Sequence, residues 1–187
     1  MVASIGALRE VQALDVAVYR AIAATPTPSL DRGLRRLTHA ADHSKLWAVV
    51  AASLAAVPGR PRRAAVNGLV SIGCASAVVN IAMKRTMPRR RPDAVGAAVP
   101  LPRTVRMPGS TSFPSGHSAS AFAFASAVGA ELPELSLPLH LLAATVAYSR
   151  VHTGVHYPGD TIAGSVVGIA AAALAPKVTA ALARRLL

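Results

Sequence analysis

The chain of 187 residues is long enough for one domain with its own core. It is 52% apolar yet only 4% aromatic, and 15% charged against roughly 25% in soluble domains. With a mean hydropathy of +0.43, this profile fits a small helical membrane protein and argues against a soluble globule. The net charge of +12, with almost no aromatic residues interleaved, suits an anionic bilayer or phosphorylated substrates and not nucleic acid; the lone Cys74 excludes an internal disulfide and a thiolate metal site.

In chain order, residues 1–14 contain Arg9 and Glu10 and lack the unbroken apolar stretch of a cleavable signal peptide. Residues 4–24 predict an amphipathic helix. Ile5, Leu8, Val11, Leu14, Val18 and Ile22 recur at spacings of three or four, with Arg9, Glu10, Gln12 and Asp15 off that stripe. Such a stripe serves equally a helix lying on a membrane surface and one facing a protein core. Thr25-Pro26-Thr27-Pro28 breaks the helix, and Ser29 is placed to cap a short basic helix through His39.

Five apolar segments follow. Leu46 to Val57 ends at Pro58-Gly59, and Ala64 to Met83 runs uncharged for the length needed to cross hydrocarbon. Ser118 to Leu132, Leu137 to Ser149 and Thr161 to Ala175 are shorter, and rich in the Ala, Gly and Ser that let membrane helices approach closely. Lys84 to Phe113 is the one long polar stretch, with seven basic residues and a single acid, Asp93. The expected fold is all-α: an integral membrane bundle of about five to six helices with an amphipathic N-terminal helix. Residues 1–44 form an interfacial region and 45–187 the catalytic bundle of one domain.

Three clusters carry the chemistry: Lys84-x6-Arg91-Pro92, Pro114-Ser115-Gly116-His117, and Ser149-Arg150-x5-His156-x3-Asp160. Tracing the chain through five crossings brings the 84–117 and 149–160 loops to the same end. Lys84, Arg91 and Arg150 are too many cations for Asp93 and Asp160 to neutralise beside an apolar bundle, whereas a phosphoryl group would neutralise them. Ser115, Gly116 and His117 open an apolar helix whose free N–H groups and dipole favour an anion. His156 can attack phosphorus if Asp160, four residues on, fixes its tautomer; His117 can protonate the leaving oxygen and then activate water. No metal or other cofactor is required by this set.

Two other readings stand beside it. His152 and His156 have a spacing that can place two metal ligands on one helix face, although Gly154 and Pro158 interrupt that helix and acids are scarce. A non-enzymatic membrane protein that binds anionic lipid would explain the charge, but neither Asp160 nor the paired histidines.

The three clusters resemble, in full spacing over residues 84–160, the signature motifs of the type 2 phosphatidic acid phosphatase superfamily, which shares its pocket with vanadium haloperoxidases. The resemblance implies that Lys84, Arg91 and Arg150 bind phosphate, with Ser115 and Gly116 adding donors. His117 would be the general acid, His156 the nucleophile and Asp160 its orienter. The haloperoxidases are larger soluble enzymes, so a short apolar chain is similar to the lipid phosphatases. The partners implied are the bilayer and a phosphorylated lipid: polyprenyl diphosphate, phosphatidic acid, phosphatidylglycerol phosphate, or a polyprenyl phosphosugar such as decaprenylphosphoryl phosphoribose. Basic residues gather at the end bearing the clusters, and positive-inside bias makes this a multi-pass plasma-membrane protein with a cytoplasmic active site.

Overall fold

The computed structural model describes residues 2–186, and among them every regular element is helical. Two helices, α1 (Val2–Ala24) and α2 (Pro28–Ala40), precede a bundle of five. The bundle comprises α3 (Lys45–Ala55), α4 (Arg60–Thr86), α5 (Gly116–Glu131), α6 (Pro133–His152) and α7 (Pro158–Leu186). The five apolar segments thus become five helices. Pro58-Gly59 turns the chain between α3 and α4, with Gly59 at φ 89°, and Leu132 alone joins α5 to α6. Both turns lie at the end away from the 84–115 loop, so that loop and the 153–157 connection share the opposite end.

The bundle is built inside out relative to a soluble protein. Ala64, Ala75, Ala121, Ala123 and Ala143 fill the interior, while Val66, Leu69, Ile81, Leu141, Ile162 and Val166 point outward. In lipid, large aliphatic residues need no protein partner and small ones let backbones close up. Helix α5 stands at the centre with Phe124 fully buried, its ring centroid 5.4 Å from that of Trp47 on α3. On α7, a side chain at Gly164 or Gly168 would run into the main chain of Ser115 or Ala119. Helices α4 and α7 are long and apolar enough to cross a membrane; α5, of 16 residues, is shorter and screened by its neighbours.

The N-terminal helices close the loop end of the bundle. Helix α1 docks through Asp15, Tyr19 and Ala23, whereas Val11, Leu14 and Val18 face outward. Much of the apolar stripe read from the sequence is therefore not a core face, and its exposure matches a helix resting on lipid. The cap of α2 also differs from expectation. Thr27 holds the N-cap position and Ser29 lies inside the helix, because Pro28 at its first position sets the start. The Thr27 hydroxyl turns instead to Asp31, at 2.9 Å, and to His152 Nε2, at 2.9 Å.

Arg103 fastens the 84–115 loop to this region. Its fully buried guanidinium donates to Asp31 Oδ1 at 2.8 Å and to the carbonyls of Ile22 and Thr25 at 3.1 and 2.6 Å. Removing the carboxylate leaves a buried cation without its counter-charge. Asp31→Ala is expected to cost about 3–5 kcal/mol, whereas Arg32→Ala, on the exposed side of α2, should stay within about 0.5 kcal/mol. Unfolding of the purified protein in detergent measures both; equal effects would contradict the buried clamp.

Candidate active site

The end of α6 and the start of α7 place the third cluster. The chain leaves α6 at His152, turns through Gly154 at φ 77°, and re-enters helix at Pro158. This tight connection buries His156 and sets Asp160 in the first turn of α7, with His156 Nδ1 3.3 Å from Asp160 Oδ2. The same oxygen accepts from the Tyr157 N–H at 2.9 Å and, very closely, from the Ser112 hydroxyl; Oδ1 accepts from Arg89 Nη1 at 2.8 Å. The carboxylate is held from four sides.

The other imidazole nitrogen faces Arg91, whose Nη1 lies 3.1 Å from His156 Nε2. A guanidinium can only donate, so Nε2 is the acceptor and the ring proton sits on Nδ1, toward Asp160. Burial is the main reason the imidazole is pushed down to about 4, with Arg91 and Arg150 adding to the effect and the Asp160 hydrogen bond opposing it. At neutral pH the ring therefore presents a lone pair on Nε2. Arg91 is itself fixed by the carbonyls of Val155 (2.8 Å) and Ser110 (2.9 Å), and burial lowers its pKa from the usual guanidinium value.

A cavity of about 770 Å³ is lined in part by Lys84, Gly116, His117 and Arg150; the buried His156 and its partner Arg91 stand behind this lining and are not part of it. The Ser110 hydroxyl links the two halves, lying 3.2 Å from both Lys84 Nζ and Arg91 Nη2. Arg150 donates to Thr38 Oγ1 at 2.5 Å, and its buried Nε–H has no protein partner among the described residues. Ser115 acts as the N-cap of α5: its hydroxyl accepts from Ser118 and its N–H donates to the Asp160 carbonyl at 2.9 Å. The first-turn N–H groups of Gly116 and His117 have no helical acceptor and open on the cavity their residues line. The arrangement is a cationic basket suited to an anion, with an imidazole lone pair to one side.

His117 has a partner that the sequence reading missed. Its Nε2 lies 2.9 Å from Asp42 Oδ1, and Asp42 Oδ2 lies 3.2 Å from His39 Nδ1. Asp42 sits in the turn before α3, where His43 and Ser44 both take positive φ. Although burial favours its neutral form, the hydrogen bonds from His117 and His39 and the nearby Arg150 hold its carboxyl below the usual range. Arg89 is the second such residue. It reaches Asp160 and, at 2.7 Å, Asp15 of α1, whose other oxygen accepts from the Gly159 N–H. Burial works against its charge, but the two carboxylates raise its pKa above the ordinary value. Neither residue belongs to a fixed spacing, and Ser110 and Ser112 carried no signal.

The geometry corrects the two-histidine metal reading. His152 points to Thr27 and Asp31, and His156 to Asp160 and Arg91, so the two imidazoles serve separate clusters. Among the described residues no group of three or more His, Cys, Asp and Glu side chains is placed to hold a metal ion. The lone pair on His156 is directly measurable by ¹⁵N-histidine NMR in detergent, assigned with His156→Gln. The ring should stay neutral, with its proton on Nδ1, to below pH 5. The linkage follows the same sign: the unfolded chain takes up this proton below about 6.5 and the folded one only near 4, so this group's stabilisation is lost as pH falls between them. Titration at or above 6.5 would contradict the site.

The PAP2 superfamily profile matches residues 64–184. The decaprenylphosphoryl-5-phosphoribose phosphatase of Mycolicibacterium smegmatis is 36% identical over 155 residues, covering 80% of this chain and 78% of its own. The protein of that name from Mycobacterium tuberculosis is 33% identical over 167 residues, 88% of this chain and 90% of its own. The transmembrane PAP2-type phosphatidylglycerolphosphate phosphatase of Bacillus subtilis superposes with a TM-score of 0.71 at 24% identity, over 91% of this chain and 86% of that one. The fold, the three clusters at one end of a membrane bundle and these likenesses agree: the chain belongs to the PAP2 superfamily.

Proposed function

We propose that this PAP2 protein is a lipid phosphatase that removes the phosphomonoester of a polyprenyl-linked phosphopentose through a phosphohistidine on His156. The observation that carries the mechanism is the imidazole held by Asp160 at Nδ1, with its Nε2 lone pair turned to Arg91. The substrate assignment is supported by the two mycobacterial relatives, each matched over most of its length.

The steps follow from the geometry. A phosphoryl group entering the cavity displaces the Arg91 Nη1 contact from His156 Nε2. Lys84, Arg91, Arg150 and the first N–H groups of α5 then take its oxygens, neutralising charge that builds in the transition state. The Nε2–P bond forms as the P–O bond to the lipid breaks, and His117 gives a proton to the departing oxygen. Asp160 stabilises the positive charge that appears on His156. In the second step His117 takes a proton from water, the water oxygen bonds to phosphorus, and the N–P bond breaks to release phosphate. Asp42 orients His117 in both steps. Three cations and a helix N-terminus supply the electrostatics, so turnover should persist in excess EDTA.

The membrane face belongs to the same proposal. Arg32, Arg35, Arg36, Arg85, Arg90 and Arg106 are exposed at the active-site end, against Arg60, Arg62 and Arg63 at the turn into α4 and Lys177 and Arg184 toward the end of α7. Positive-inside bias supports a cytoplasmic site in the plasma membrane.

Phosphate release in detergent from a panel of phosphorylated lipids, with and without EDTA, tests the reaction class. Covalent trapping tests the roles. With 4-nitrophenyl phosphate, whose leaving group needs little protonation, His117→Ala should accumulate acid-labile phosphate on the protein because the second step lacks its base. His156→Ala should carry none and lose turnover on the order of 10⁴-fold or more. Label on the His156 variant would show the nucleophile to be misassigned.

Asp42→Asn separates positioning from packing, since the side chains match in shape. It should lower kcat on a lipid substrate by up to the roughly 10²–10⁴-fold that a general acid contributes, and by clearly less on 4-nitrophenyl phosphate. An equal loss on both substrates would remove Asp42 from the proton-transfer step.

A further inference from the structure

Helix α4 carries a feature that phosphate chemistry does not use. Its regular winding widens into a π-turn over Val78–Met83, immediately before Lys84. Eight residues of ordinary α-helix drift by about 80° around the axis; the wider turn cancels most of that drift. Ser76, Asn80 and Lys84 thus all line the same cavity, joined from α5 by Ser120, one turn beyond Gly116.

The polar residues of this apolar helix divide into two sets. Asn67 is spent within the bundle: its amide donates to Glu131 at 3.0 Å and accepts from Thr179 at 2.9 Å, while Ser71 donates to the Asn67 carbonyl at 2.7 Å. Asn80 has only its Nδ2 contact with Ser76 Oγ at 3.0 Å, and among the described residues neither its Oδ1 nor the Ser120 hydroxyl has a partner. Unpartnered amides and hydroxyls are costly on a membrane-spanning helix unless they face a polar occupant.

Their depth identifies that occupant. Asn80 lies about 6 Å and Ser76 about 12 Å from Lys84 toward the hydrocarbon, at 1.5 Å per residue. A lipid whose phosphate rests on Lys84 and Arg150 must leave in this direction, so the group linking phosphate to tail passes Asn80, Ser76 and Ser120. All three are neutral donor-acceptors, which suit hydroxyls.

We infer that Ser76, Asn80 and Ser120 form a subsite for the hydroxyls of a sugar directly attached to the scissile phosphate. The inference rests on the lipid-phosphatase reading and makes the enzyme selective for sugar phosphates over simple alkyl phosphates.

The test compares kcat/KM for a polyprenyl phosphoribose phosphate with that for polyprenyl monophosphate of the same chain length, in EDTA-treated detergent. The wild type should prefer the sugar lipid at least tenfold, and Asn80→Leu and Ser120→Ala should each reduce the ratio fivefold or more. A ratio unchanged within twofold in both variants would overturn the subsite, as would a wild type that treats the two lipids alike. Inactivity on every phosphorylated lipid would instead overturn the reading beneath it. A second measurement needs no variant: as inhibitors of wild-type 4-nitrophenyl phosphate hydrolysis, ribose 5-phosphate should have an inhibition constant at least fivefold below that of ethyl phosphate. Equal constants would exclude the subsite even if the substituted proteins failed to fold.

Discussion

The Asp160 carboxylate is the fixed point of this molecule. Fully buried at the start of α7, it is kept as an anion by donors on both oxygens: His156, the Tyr157 N–H and Ser112 on one, Arg89 on the other. Two of the donors belong to the 153–157 connection and two to the 84–115 loop, so the charge organises the loop end of the bundle. Its direct effect is on the His156 tautomer. Its indirect effect runs through Arg89, which stacks 4.1 Å over the Tyr157 ring and reaches Asp15; Tyr19 then meets Tyr157 edge-on at 5.5 Å. The position of α1 and the orientation of the imidazole are settled by one hydrogen-bonded chain.

A rigid frame stands behind this polar layer. Glycines on α7 let its backbone lie against α5, and alanines fill much of the interior around Phe124 and Trp47. In hydrocarbon the gain comes from packing and not from hiding apolar surface, so close approach matters more than side-chain volume. The helix ends are thereby held in register, and the cations of α4 and α6 meet the start of α5 without a long loop to carry them.

The helices were legible because charge-free runs bounded by Pro, Gly and Arg leave a bilayer few alternatives. The meeting of the three clusters was legible as well, since the ends of successive antiparallel helices alternate between two sides. The orientation of α1 was not. Periodicity shows that Val11, Leu14 and Val18 share a face, but when lipid is nearby the apolar side can be the outer one, and the docking surface proved to be Asp15 and Tyr19. The partners of the cluster residues were also hidden. Asp42 lies 75 residues from His117, and Ser112 lies 48 from Asp160, brought together by loops that no spacing rule describes. Arg89 was visible only as one more basic residue in a basic loop. The π-turn left no trace, because one widened turn within an apolar run does not change its composition.

The family profile begins at residue 64, but the site does not. Asp42 holds His117, Thr38 receives Arg150, and Asp15 receives Arg89, all from the stretch before that boundary. A protein cut to the matching segment would keep every motif residue while depriving His117, His152, Arg89, Arg103 and Arg150 of partners. The structural unit is therefore larger than the recognisable one: the first two helices and the turn after them complete the polar layer around the motif residues, from a part of the chain that carries no motif of its own.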